Sequence, residues 1–319
     1  MPETRVGISG WRYAAWRGKF YPPKLPQSGE LNFAARCVNS VEINGSFYSL
    51  QLPNAYRQWH DNTPSDFLFS VKGSRFITHM KRLKNIEEAE ANFWASGILH
   101  LEEKLGPILW QLPPNFRFDR DTLARFLDGL PRNTAEAAKI GRHHSAFMKN
   151  RSWLEIGKNR SLRHAIEIRH ESFLTEEFVR LLREHGIALV IADTAKRWPY
   201  MEDLTADFVY ARLHGEIELY TSGYDDEALD RWAHRLKKWR DGSAPKDAHI
   251  HAPMARSPKR RDIYVYFDND AKVYAPFNAM DLARRLGIAR DYVQIKKNAI
   301  LSGRRKQRRG NRRSAWPRA

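Results

Sequence analysis

"NSVEINGSFYSL", residues 39–50, begins as a buried strand and ends as something else. Val41 and Ile43 suit a sheet interior, and side-chain alternation puts Glu42 and Asn44 together on the other face. A glycine and two aromatics, Phe47 and Tyr48, follow where the strand runs out. A carboxylate and an amide on one face at a strand's end decide the fold only if other strands end in the same way.

They do. Strand-length apolar runs fall at Arg5–Ser9, Ser40–Asn44, Phe67–Lys72, Ile108–Gln111, Ala165–Arg169, Ala188–Asp193, Phe208–His214 and Ile263–Asp268. Helical spacing separates them. Glu87–Leu105 reads as a helix, and Thr175–His185 has a threonine cap, two first-turn acids and Gly186 as its stop. Asp225–Arg240 sets Leu229, Trp232, Leu236 and Trp239 on one face, and Pro276–Leu286 opens with proline. Eight β-α units in under 300 residues predict an α/β fold of the (β/α)8 TIM-barrel type. The competing doubly wound sheet usually carries a Gly-rich first turn, whereas here that turn is SGWRYAAW, without GxGxxG or GxxxxGK[ST]. The expected organisation is one barrel domain over 1–289 with surface excursions at 132–160 and 241–261, then a basic, disordered C-terminal tail over 290–319.

The C-terminal ends of the eight strands supply Trp11, Glu42, Asn44, Lys72, Gln111, Glu167, Arg169, His170, Asp193, Arg212, His214, Asp268 and Asp270. Glu42/Asn44, Glu167/Arg169 and Arg212/His214 are i,i+2 pairs, so each pair shares a face, and that face is expected to be the barrel mouth. Buried ion pairs cost several kcal/mol per ion to desolvate, which favours a working mouth over a purely structural lattice. Around it stand Trp11, Phe47, Tyr48, Trp198, Tyr220 and Tyr224 as stacking candidates. RFITHMKRLKN (75–85) adds Arg75 and His79 as phosphate-holding candidates. LYTSGYDDE (219–227) reads as a flap.

The 319 residues carry a net charge of +17, but eight Lys/Arg and no acid lie in 302–319. Without that segment 46 basic residues face 37 acidic ones, a net of +9, so the body itself is basic. A polycationic tail is expected to bind polyanions without sequence preference. No stretch approaches the ~18 apolar residues of a membrane span and no signal-peptide core opens the chain, so a cytoplasmic protein away from membranes is expected. The single Cys37, in FAARCV, excludes an intramolecular disulfide and reads as a buried helix position.

GISGWRYAAWRGKFYP, VEINGSFYSL, RFITHMKRL, LGPILWQLPP, IEIRHESF, DFVYARLHG and YVYFDND, in this order, resemble the YecE-like family (DUF72) from about residue 5 to 287. The resemblance implies a TIM barrel and leaves activity open, the family being one of unknown function. Its barrel has been likened to that of endonuclease IV, whose strand ends are richer in histidine. Here only His79, His170 and His214 qualify, which argues against a trinuclear zinc cluster.

Three functions compete. A phosphoester-processing enzyme acting on nucleic acid or a nucleotide, a hydrolase of phosphodiesterase type, would clamp phosphate with Lys72, Arg169 and Arg212. Glu42 or Glu167 would be its base, with a raised pKa, and His214 or His170 its acid. Asp193, Asp268 and Asp270 would suit a divalent metal ion. A carbohydrate-active hydrolase or isomerase would use a carboxylate pair and the aromatics. A non-catalytic nucleic-acid-binding protein would need only the basic surface and tail.

Overall fold

The computed structural model describes residues 2–253, 260–297 and 299. Eight parallel strands, β1 (Thr4–Ser9), β2 (Ser40–Ile43), β3 (Leu68–Lys72), β4 (Leu105–Gln111), β5 (His164–Glu167), β6 (Ala188–Asp193), β7 (Phe208–Leu213) and β8 (Asp262–Phe267), close in sequence order into a barrel. Helices α1 (Glu30–Cys37), α2 (Gly45–Tyr48), α3 (Pro53–Asp61), α4 (Glu87–Ala95), α5 (Arg120–Gly129), α6 (Thr134–Gly141), α7 (Glu176–His185), α8 (Asp226–Arg240) and α9 (Tyr274–Arg285) lie in the connections. The main hydrophobic core lies between strands and helices, where Val41, Ile166, Ile191 and Val265 meet Phe33, Trp94, Leu182 and Leu236. β1 sits close to β2: a Cβ on Gly7 would lie 2.1 Å from the Ser40 carbonyl oxygen, so only glycine fits there.

Local signals act as the sequence dictates. The Thr175 hydroxyl accepts from the Phe178 amide and Gly186 ends α7 at φ +63°; Asp225 caps α8 through the Ala228 amide. Cys37 is buried in α1, where desolvation pushes its thiol up to about 12. The helix expected over 87–105 is broken: α4 stops at Ala95, Gly97 turns left-handed at φ +102°, and a 3-10 stretch (Ile98–Lys104) follows. α9 starts two residues before the expected Pro276.

The barrel interior explains the site. Its lower part is apolar or hydroxylic, with Leu109, Ala165, Val190, Phe208 and Tyr264 packed together. Tyr210 shares a hydrogen bond with Ser70 (2.7 Å) and Tyr266 with Ser40 (2.8 Å). The charged residues begin above this layer, toward the strands' C-terminal ends. The boundary expected at residue 290 moves outward: Tyr292 stacks on Phe20 with 5.9 Å between centroids and donates to the Phe20 carbonyl, and Arg290 pairs with Asp66 at 2.6 Å. The polycationic segment 302–319 lies outside the described residues. No helix among the described residues is long and apolar enough to cross a membrane.

Candidate functional site

β7 carries Tyr210 and Arg212 on its inward face, and Arg212 becomes the centre of a buried lattice. Its Nε and Nη2 fork onto Glu42 at 3.0 and 2.7 Å, Nη1 reaches Glu167 at 2.7 Å, and Nη2 also reaches Asp268 at 2.9 Å. Glu42 accepts further from Ser9 (2.9 Å) and Tyr210 (2.6 Å), and Glu167 from Gln111 (2.8 Å) and Arg169 Nε (3.0 Å). Such fork-type, charge-assisted bonds are the strong ones. Arg212, Glu42 and Glu167 are all essentially inaccessible to solvent. Burial alone would raise the Glu167 pKa, but Arg212 and then Arg169 hold it well below the usual carboxylate range. The raised pKa expected of a proton-transferring Glu167 is therefore not found. His214, also buried, lies 3.3 Å from Arg212 and 3.1 Å from Asp268, and burial followed by the Arg212 charge keeps its pKa low.

Above this floor opens a cavity of 690 Å3, lined by Tyr13, Asn44, Phe47, Tyr48, Lys72, Arg75, His79, Met80, Gln111, Arg169, Tyr220 and Asp268. Lys72, at the end of β3, is buried; its ammonium lies 4.3 Å over the Phe47 ring and has no ion pair or hydrogen bond among the described residues. Desolvation, then the nearby Arg212, lowers its pKa to about 8. His79 sits on a π-helical turn (Phe76–Met80), and burial, then Lys72, lowers its pKa to about 4, so it is neutral at pH 7. The Arg169 guanidinium lies over Trp198, 3.7 Å from the ring centre. Asp268 stays ionised because Arg212 and His214 outweigh its burial, whereas burial and the Asp268 charge push Asp270 well above the usual range. Among the described residues, Asp270 Oδ1 and the side-chain Oδ1 of Asn44 are buried without a hydrogen-bond partner.

The expectation that these strand-end residues share one mouth is thus corrected at several positions. Lys72 and Asp268 line the cavity together with Arg169, while Glu42, Glu167, Arg212 and His214 lie beneath it. Asp193 is elsewhere: Ala192 takes the inward position on β6, and Asp193 opens onto a second cavity of 360 Å3 with Trp198, Tyr200, Trp232 and His249. There it accepts from the Tyr224 hydroxyl at 3.0 Å, and burial pushes its pKa to about 6. Trp11 packs edge-on against Trp59 in the core, 5.2 Å between centroids, and does not line the cavity. His170 accepts from the Ser172 amide and caps a short turn (Glu171–Phe173), outside the cavity lining. The 219–227 segment contributes Tyr220 to the wall and is tied to the end of β8 by Asn269, which donates to the Ser222 carbonyl at 3.0 Å.

Asn44, Tyr48, Arg75, His79 and Gln111 line the cavity as expected, and Tyr13 and Met80 are additions. Tyr13 belongs to a loop beyond β1, two residues past Trp11, and strand-end reasoning does not reach it. Among the described residues no group of three or more His, Cys, Asp and Glu side chains is arranged to hold a metal ion, and the three aspartates considered for one do not share a site.

A family model described as "Protein of unknown function DUF72" matches residues 5–301. The "UPF0759 protein YecE" of Escherichia coli (strain K12) is 25% identical over 264 residues, covering 80% of this chain and 88% of the relative. The "UPF0759 protein YunF" of Bacillus subtilis (strain 168) is 29% identical over 125 residues, 37% of this chain and 43% of its own. The crystal structure of a DUF72 family protein from Thermotoga maritima MSB8 superposes with a TM-score of 0.66 at 26% identity, over 89% of this chain and 99% of that one. One from Enterococcus faecalis V583 gives 0.65 at 17% identity, over 90% and 97%, a likeness of fold. With a match over nearly its whole length, the chain belongs to the DUF72 family of TIM-barrel proteins, a family of unknown function.

Proposed function

We propose that the mouth cavity binds and processes a phosphoester. The observation that carries this reading is the charge lining the cavity: Lys72, Arg75 and Arg169 against the single carboxylate of Asp268, with Lys72 buried and in no ion pair among the described residues. A buried cation without a partner is costly, and an anionic ligand would supply the missing charge. Lys72, Arg75 and Arg169 hold the phosphoryl oxygens and stabilise charge that develops on them. Asp268, ionised and facing the cavity, accepts a proton from the attacking hydroxyl or water. Asp270, beside it, has its pKa pushed well above the usual carboxylate range by burial and then by the Asp268 charge, and neighbouring carboxyls with divergent pKa values divide acid and base roles. Glu42, Glu167 and Arg212 fix the floor on which Asp268 rests and do not touch the ligand. The test presents bis(4-nitrophenyl) phosphate and 4-nitrophenyl glucoside to the full-length protein with and without Mg2+ or Mn2+. Release of nitrophenol from the phosphodiester, reduced at least tenfold in Lys72→Met, supports the reading. Turnover of the glucoside alone, or no phosphoester turnover under any condition, overturns it.

A further inference from the structure

Large apolar side chains are exposed along one side of the same cavity. Tyr48 is 67% exposed, Met80 63% and Phe76 43%, in the connections after β2 and β3. These two connections form one surface, because the Phe47 ring packs edge-on against both Tyr48 and His79, each 5.0 Å away. Each exposed aromatic carries a cation: Arg75 lies 5.8 Å over Tyr48, and Lys81 5.9 Å over Phe76. Residues 73–86, GSRFITHMKRLKNI, contain no acid at all.

Soluble proteins seldom leave aromatic and apolar side chains exposed together at a cavity edge without a partner. Exposed rings interleaved with cations have the complementarity of one polymer, stacking for its bases and positive charge for its backbone. We infer that this rim is a platform for single-stranded nucleic acid, whose bases stack on Tyr48 and Phe76 while a phosphodiester of the same strand enters the cavity toward Lys72. The inference rests on the phosphoester reading and narrows its substrate from phosphoesters in general to a strand.

Short oligothymidylate and oligouridylate carrying 2-aminopurine test it with the full-length protein at roughly 0.5 M salt, which suppresses purely electrostatic binding. Stacking quenches the 2-aminopurine. The wild type is expected to quench it, and the double variant Tyr48→Leu, Phe76→Leu, both exposed positions, to bind at least tenfold more weakly without quenching. The single variant Phe76→Leu, outside the cavity lining, is expected to bind dimethyl phosphate as the wild type does. Oligonucleotide binding unchanged in the double variant, or absent from a wild type that binds dimethyl phosphate, overturns the platform and leaves the phosphoester reading standing. A wild type that binds neither overturns both.

Discussion

Arg212 and Lys72 both stand on the interior face of the barrel near its C-terminal end, and their surroundings are opposite. Arg212 meets Glu42, Glu167 and Asp268 within 3.0 Å, and those carboxylates hold its charge in place despite complete burial. Lys72 has the Phe47 ring, no carboxylate within ion-pair reach among the described residues, and a pKa lowered to about 8. The two belong to the same set by residue type and strand position; what separates them is the inventory of partners. A saturated buried charge is architecture, and the reading proposed for the unsaturated one is that a ligand's charge completes it.

The sharpest way to break this comparison is to delete each cation. Arg212→Met leaves the buried Glu42 and Glu167 facing each other and the part-buried Asp268, and is expected to cost roughly 3–5 kcal/mol, seen as a lower urea midpoint. Lys72→Met removes a desolvated, unpaired charge and is expected to be neutral or stabilising by up to about 1 kcal/mol. Equal losses in the two variants would make Lys72 part of the lattice.

Glu167→Gln sharpens the same contrast along the pH axis. The folded-state pKa of Glu167 lies below its unfolded value, so the unfolded chain binds the extra proton between the two. Stability from Glu167 is therefore complete above about pH 4.3 and is lost as pH falls toward the folded pKa. The variant is expected to be less stable by roughly 3 kcal/mol at pH 7 and to show a shallower acid loss. An unchanged acid slope would remove Glu167 from the lattice.

Lys72 has a linkage of the same sign in a higher pH interval, since its folded pKa also lies below the unfolded one. Between about 8 and its unfolded value near 10.4, the unfolded chain holds a proton that the folded one has released, so wild-type stability should rise relative to Lys72→Met over that interval. A flat difference from pH 7 to 10 would mean that Lys72 is better solvated than its burial implies.

The smallest effect is expected at Asp193. Its folded pKa of about 6 exceeds the unfolded value, so its contribution is full below about pH 4 and declines as pH rises through 6. Asp193→Asn should remove that decline in thermal unfolding and leave ligand binding in the mouth cavity untouched. Loss of binding there would join the two cavities into one site.

The barrel was legible because parallel strands, buried on both faces, leave continuous apolar runs, and each of the eight expected strands lies within three residues of the observed bounds at both ends. The mouth was legible in part. Alternation correctly set Glu42, Glu167 and Arg212 inward, and the same alternation, counted along Ala188, Val190 and Ala192, would have turned Asp193 outward. Saturation was not legible. The hydroxyls that complete Glu42 come from Ser9 and Tyr210, on strands remote in sequence, and only barrel closure brings them to it. The cavity lining by Tyr13 and Met80 depends on loop paths that no periodicity encodes.

The central claim, that Lys72 awaits an anion, is tested most directly by calorimetric titration with dimethyl phosphate, a phosphodiester whose charge stays constant over the range used. Titrations at pH 7 and pH 9.5, in buffers of different ionisation enthalpy, compare the wild type with Lys72→Met. The account predicts wild-type binding that weakens at least tenfold as pH rises past about 8, with proton uptake on binding near that pH, and loss of both binding and uptake in the variant. Binding of equal strength at both pH values, or retained in Lys72→Met, would contradict it.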